Sequence, residues 1–211
     1  MSILSRLFKK ITYSSRRSRI NKFSLFETRK SNVKILGKIY IFGTPKLIFK
    51  GRCCIFPNVS FSGNGTITFG DGVDIGKDVS IYSSKDGGVE IGNDVGIAAN
   101  SYIIDCDHGT NLKNGTPMMK QPLIVEKITI GNDVWIGANS LILMGSTVED
   151  GVVVGANSLV KGHLISNSIY VGSPVKKLKE RNHGEKGWCN FFIFVNDCRV
   201  VLEFFIHTFF N

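Results

Sequence analysis

The amino-acid sequence predicts a mainly β protein, a parallel β-helix wound as a three-sided prism, and three observations predict it. An aliphatic residue returns at every sixth position through the middle of the chain, Gly, Asn and Asp collect between those positions, and the rhythm breaks at defined places. The 23 glycines against 5 prolines among 211 residues fit a chain of many tight turns rather than long helices. A hydrophobic content of 43% supports a substantial core, which excludes a disordered chain.

The first element, residues 1–34, reads as a basic amphipathic arm. Ile3, Leu4, Leu7, Phe8 and Ile11 fall at helical spacing with Lys and Arg between them. Ten basic side chains stand there against Glu27 alone, so the arm carries the whole net charge of +9. Such an arm suits an acidic glycan or peripheral contact with an anionic membrane, or it packs its apolar stripe on the domain or a neighbouring subunit. With no aromatic-rich RNA motif and no finger spacing, nucleic acid is excluded as the expected partner.

The second element, residues 35–175, is the β-helix. From Ile130 the chain divides into IGNDVW, IGANSL, ILMGST, VEDGVV, VGANSL and VKGHLI, opened by Ile130, Ile136, Ile142, Val148, Val154 and Val160. Small or β-branched residues follow four positions later in the first five blocks, and Leu164 departs in the sixth. The same phase appears upstream at Phe69 and Ile75 and at Ile91 and Ile97. A helix of 3.6 residues per turn would smear a period of six around its surface, whereas a short strand followed by a turn sustains it. Three such faces make a coil of about 18 residues, stacking Ile130 on Val148, Ile136 on Val154 and Ile142 on Val160. Asn at the bends is expected where the backbone enters the left-handed region.

Two breaks interrupt the rhythm. SSKDGG at 83–88 inserts a short turn, and residues 104–127 form an external loop rich in Gly, Asn, Pro and charge. Long loops on rigid scaffolds collect site residues, so chemistry is expected there. The last element, residues 176–211, reads as a C-terminal helical tail: KKLKERNHGEK as a polar linker or short helix, then an aromatic and aliphatic stretch from Trp188. Asn190, Asn196, Asp197, Arg199, Glu203 and His207 interrupt that stretch, which favours a packed or interfacial helix over a membrane span.

Five cysteines (Cys53, Cys54, Cys106, Cys189, Cys198) with no CxxC pair indicate neither a disulfide framework nor a zinc site, and favour a reducing cytosol. The N-terminus lacks a continuous apolar stretch and a cleavage-like site, so no secretory signal is expected. No P-loop and no GxGxxG motif supports a nucleoside triphosphate or a dinucleotide.

The blocks ITIGNDVWIGANSLIL, VVVGANSLV and YVGSPVKKLK resemble the hexapeptide-repeat acyltransferases, nearest the maltose/galactoside and polysaccharide O-acetyltransferase branch. The resemblance covers residues 55–180, and its most specific piece is N-D-V-W-I-G-A-N followed by V-G-S-P. It implies a left-handed prism, a homotrimer with active sites between neighbouring subunits, and acetyl-CoA as cosubstrate with no metal. The family's catalytic histidine sits in the external loop. Here the matching stretch is IIDCDHG, with Cys106 where related enzymes often carry a second histidine, so the resemblance makes His108 the catalytic base. Asp105, Asp107 and Glu126 are candidates to orient its ring. The resemblance also implies that the Ala138 N–H stabilises the oxyanion. Trp135, Ala138 and Ala156 would line the pantetheine groove, with Lys161 near the adenine end, where relatives often have Thr-Lys in place of Lys161-Gly162. Lys176 and Lys179 match basic positions near the nucleotide phosphates.

The chemistry asks for such a base. A sugar hydroxyl is a poor nucleophile at neutral pH, and imidazole is the side chain that is partly neutral and basic there. The implied activity is transfer of an acetyl group to a sugar hydroxyl, in a bacterial surface polysaccharide (capsule, O-antigen or exopolysaccharide), by a cytoplasmic enzyme at or near the inner membrane. Two alternatives share the prism: N-acetylation of a nucleotide amino sugar, and an inactive glycan-binding scaffold. The γ-type carbonic anhydrases share it too, but they need three histidines on one metal, and only His108 and His163 lie within the repeat.

Overall fold

The computed structural model describes residues 26–28, 32–111 and 115–181. The expected helix of the basic arm and the aromatic tail lie outside the described residues. Among those described, no helix is long and apolar enough to cross a membrane.

The chain winds through three faces in turn. After Phe26–Thr28, the first face carries Lys46–Phe49, Thr66–Phe69, Val89–Ile91, Ile128–Ile130, Thr147–Val148 and His163–Leu164. The second carries Val33–Ile35, Cys53–Ile55, Val73–Ile75, Gly96–Ile97, Trp135–Ile136, Val153–Val154 and Ser168–Val171. The third carries Tyr40–Gly43, Ser60–Gly63, Ser80–Ser83, Tyr102–Ile104, Leu141–Ile142 and Leu159–Val160. Each strand pairs in parallel with the strand one coil above or below.

The predicted columns form. Ile130 aligns with Val148, Ile136 with Val154 and Ile142 with Val160, and all six side chains are buried. Burying one such side chain stabilises by about 1.5–3 kcal/mol, so stacked coils share a core that no single coil could build. The N-terminal coils are wider. Their first face turns two residues inward, Leu47 and Phe49, then Ile67 and Phe69, then Val89 and Ile91. Phe49 and Phe69 stack there at 4.8 Å, and Phe61 meets Phe69 edge-on at 5.9 Å.

The corners follow the turn chemistry. Asn58, Asp78, Asn100, Asn139 and Asn157, one per coil between the second and third faces, all hold positive φ. Short polar side chains accept that region at lower cost than others. The Asn139 Nδ2 donates to Asn157 Oδ1 at 2.6 Å, and the Asn157 N–H donates to the Ala138 carbonyl at 2.9 Å. Leu164 departs from the six-residue rhythm because Lys161 and Gly162 make a shorter corner, yet it still stacks on Val148 and is buried.

Two boundaries differ from expectation. Phe26–Thr28 and the first two residues of Val33–Ile35, expected in the basic arm, belong to strands that begin the winding. Lys176–Glu180, expected in the helical tail, is a strand running antiparallel to Ser168–Val171. The reason is an open edge: the last strand of the second face would otherwise leave its ladder unpaired. Arg181 fastens that return, donating to Asp133 Oδ2 at 2.8 Å and to the Gly151 carbonyl at 3.2 Å. The external loop is also more ordered than its composition suggested, because Cys106–His108 and Leu123–Val125 pair as an antiparallel ribbon.

Candidate active site

The ribbon leaves the corner between the third and first faces. In its register His108 lies across from Leu123, Asp107 from Ile124 and Cys106 from Val125. Alternation puts Cys106 and His108 on one side of the ribbon and Asp107 on the other. Cys106 is buried at the ribbon's base, whereas His108 is exposed. The His108 amide N–H donates to Asp107 Oδ1 at 2.7 Å, a backbone contact that leaves the imidazole outside it.

The candidate ring partners have other occupations. Asp105 is fully buried and accepts hydrogen bonds from Ser83 Oγ and from the Ser84 and Gly88 amides. The Glu126 carboxylate lies against the turn at Gly145, where an added Cβ would meet its Oε2 at 2.1 Å. Among the described residues no carboxylate is hydrogen-bonded to the His108 ring. Gln121, which the sequence reading passed over, ties the ribbon's outer end. Its Nε2 donates to the carbonyls of Asn111 at 2.8 Å and Thr116 at 2.9 Å, and its Oε1 accepts the Asn111 N–H at 3.0 Å. No periodic pattern marks a contact between residues ten apart in an irregular stretch.

The cofactor residues implied by the resemblance are spread over more than one edge of the prism. Ala138 and Ala156 lie one coil apart at the corner between the second and third faces. Among the described residues neither of their amide N–H groups finds a backbone acceptor, although the neighbouring Gly137, Asn139 and Asn157 amides do. Trp135 is half-buried on the outer side of the second face. Its ring covers Gly96 so closely that a Cβ there would sit 2.6 Å from Cε3, so only glycine accommodates the indole. Lys161 is exposed at the corner from which the ribbon also springs, and Lys176 and Lys179 lie on the closing strand at the second face's edge. A polar trough of about 380 Å³ on the third face, lined by Ser60, Ser62, Ser80, Asn100 and Tyr102 among others, lies below the Ala138 corner. Burial raises the phenols of Tyr82 and Tyr102 above their usual range, with the Cys106 thiol the next cause.

Within one chain, then, His108 and Ala138 stand at two different corners with the third face between them. Among the described residues no group of three or more His, Cys, Asp or Glu side chains is placed to hold a metal ion. The fold is a three-faced parallel β-helix, consistent with the expected left-handed prism.

Comparison with known proteins places it more narrowly. The family model of the bacterial transferase hexapeptide (six repeats) matches residues 127–162, and that of the hexapeptide repeat of succinyl-transferase matches residues 66–104. Both are repeats of hexapeptide transferases, and the curated relatives to which the chain is similar include polysaccharide O-acetyltransferases. It is 38% identical over 133 residues to the putative lipopolysaccharide biosynthesis O-acetyl transferase WbbJ of Escherichia coli, covering 60% of this chain and 66% of that one. It is 33% identical over 125 residues to the galactoside O-acetyltransferase of the same organism, covering 56% and 59%. The chain thus spans less than two thirds of the length of each. Among solved structures, a mutant of AntD, an N-acyltransferase from Bacillus cereus in complex with dTDP-4-amino-4,6-dideoxyglucose and Coenzyme A, superposes with a TM-score of 0.63 at 25% identity. That match covers 73% of this chain and 83% of AntD.

Proposed function

We propose that the protein is an acetyl-CoA-dependent O-acetyltransferase acting on a sugar hydroxyl in a bacterial surface polysaccharide. Likeness to WbbJ and to the galactoside enzyme supports O-acetylation. The observation that carries the reading is the pair of amides at Ala138 and Ala156 on one corner, neither with a backbone acceptor among the described residues, with an exposed histidine on a ribbon at another. Open amides along a corner suit the amide carbonyls of a pantetheine arm, and Trp135 offers it an apolar wall. Lys161, Lys176 and Lys179 supply cations for the nucleotide phosphates.

In this reading His108 of one subunit faces the Ala138 corner of a neighbour in a homotrimer. The exposed apolar side chains of the ribbon, Met118, Met119, Leu123 and Ile124, support a contact of that kind. The imidazole takes the hydroxyl proton as the sugar oxygen attacks the thioester carbonyl. The Ala138 N–H stabilises the negative oxygen that develops, and the departing thiolate recovers the proton from the imidazolium. No covalent acyl-enzyme is needed. N-acetylation of a nucleotide amino sugar is the second reading, favoured by the AntD likeness.

Thiol release from acetyl-CoA over a panel of sugars, amino-sugar nucleotides and polysaccharides tests both. Turnover with hydroxyl acceptors that falls about 10²–10⁴-fold in His108→Ala, with acetyl-CoA still bound, is the expected result. Turnover confined to amino acceptors selects the second reading. Sedimentation of the full chain as a monomer would remove the shared site.

A further inference from the structure

Resting on the reading of His108 as the base, we propose that Asp105 is the positioning residue of the catalytic ribbon, acting three residues before the histidine and from inside the prism. Its carboxylate is fully buried and meets donors only. Ser83 Oγ donates to Oδ2 at 3.0 Å, the Ser84 N–H to Oδ1 at 2.8 Å and to Oδ2 at 3.0 Å, and the Gly88 N–H to Oδ2 at 2.8 Å. An acceptor-only group matches that set. Its main chain completes the latch, because the Asp105 carbonyl accepts the Glu126 N–H at 3.0 Å and so closes the base of the ribbon.

The two breaks in the repeat are therefore one device. The short insertion at 83–88, one coil below, wraps the carboxylate that starts the long one. The fit leaves no room. A Cβ added to Gly87 would lie 2.3 Å from Asp105 Oδ2 and 2.8 Å from Val125 Cγ1, and one added to Gly65 would lie 2.0 Å from the Ser84 carbonyl oxygen. His108 reaches outward on a two-strand ribbon, so a small tilt at this base is magnified at the imidazole. A base displaced by about 1 Å loses on the order of 10²-fold in rate.

The test uses the full chain carrying Asp105→Asn or Gly87→Ala. The first keeps the shape but sets an NH₂ group among donors, and the second crowds the carboxylate, together with Val125 at the ribbon's base, from the insertion side. Each variant is expected to lower kcat about 10- to 100-fold with the Kd and KM for acetyl-CoA within about twofold of the parent. The acidic limb of the pH–rate profile stays in place, because the base is still His108. Amide hydrogen exchange speeds up at 106–108 and 123–125, while the coils at 128–160 keep their protection. If both variants fold, exchange and turn over as the parent does, the proposal is overturned. It is equally overturned if acetyl-CoA affinity and prism protection fall together with turnover, since Asp105 is then a core residue only. His108→Ala with full turnover would sink the assignment of the base, leaving the exchange measurement to decide whether Asp105 holds the ribbon.

Discussion

The coils from Ile128 to Leu164 and the ribbon from Cys106 to Val125 are held by different means. In the coils each strand after Ile128–Ile130 sends one side chain inward onto its equivalent in a neighbouring coil, and Ile130, Ile136, Ile142, Val148, Val154 and Val160 are all essentially inaccessible. The ribbon buries little: Met118, Met119, Leu123 and Ile124 are exposed, and its order rests on polar ties, Asp105 at the base and Gln121 at the outer end. Repeated burial makes a scaffold that tolerates interruption. A polar-tied ribbon can carry a functional side chain out to where a second surface would meet it. Stability and activity should therefore separate under mutation.

The largest effects break the comparison from its two ends. Phe69 stacks on Phe49 and meets Phe61 in the wide coils, so Phe69→Ala should lower unfolding stability by about 3–5 kcal/mol, read by denaturant titration. His108→Ala should leave the same titration within about 0.5 kcal/mol of the parent while abolishing most turnover. A large loss of stability from the histidine change would mean that the ribbon is part of the core.

A smaller effect sharpens the picture at the end of the prism. The Ser166 N–H holds the Glu149 carboxyl below the usual carboxylate range, and the contact with His163 Nε2 at 2.6 Å acts in the same direction. A depressed folded-state pKa contributes stability that is present above the unfolded value and lost as pH falls through the folded one. Acidification below the ordinary glutamate range should thus cost the parent part of its melting temperature that Glu149→Gln never had. Parallel melting curves of the two proteins across that range would refute the linkage.

The smallest effect concerns the insertion. Ser84 Oγ is the one buried side-chain polar atom without a hydrogen-bond partner among the described residues. Its backbone, not its hydroxyl, serves the latch. Ser84→Ala should leave turnover unchanged and raise the melting temperature slightly, since it removes a desolvated hydroxyl that gains nothing in return. A lower melting temperature would show that the hydroxyl has a partner after all.

Legibility followed the same division. The strict period from Ile130 to Val160 could be read because each inward residue answers to a single distance along the chain. The wide coils were harder: Leu47 and Phe49, or Ile67 and Phe69, put two inward residues on one face, so spacings of two and six mix. Lys176–Glu180 reads as a polar linker by composition, yet an unpaired edge recruits it as a strand. Asp105 looked like one of several carboxylates near a histidine. What distinguishes it is Ser84 and Gly88, about twenty residues earlier, brought beneath it by one turn of the winding.

The sequence by itself determined the prism, its inward columns and its left-handed Asn corners, because these depend on local periodicity and on which residues accept a positive φ. It also carried the likeness to hexapeptide-repeat transferases, through the N-D-V-W-I-G-A-N block. Only the tertiary structure decided that the ribbon is paired, that Asp105 faces inward rather than toward His108, and that the histidine and the Ala138 corner stand apart in one chain. Those outcomes depend on which coil lies beneath which, and stacking sets that through the summed lengths of every insertion before it.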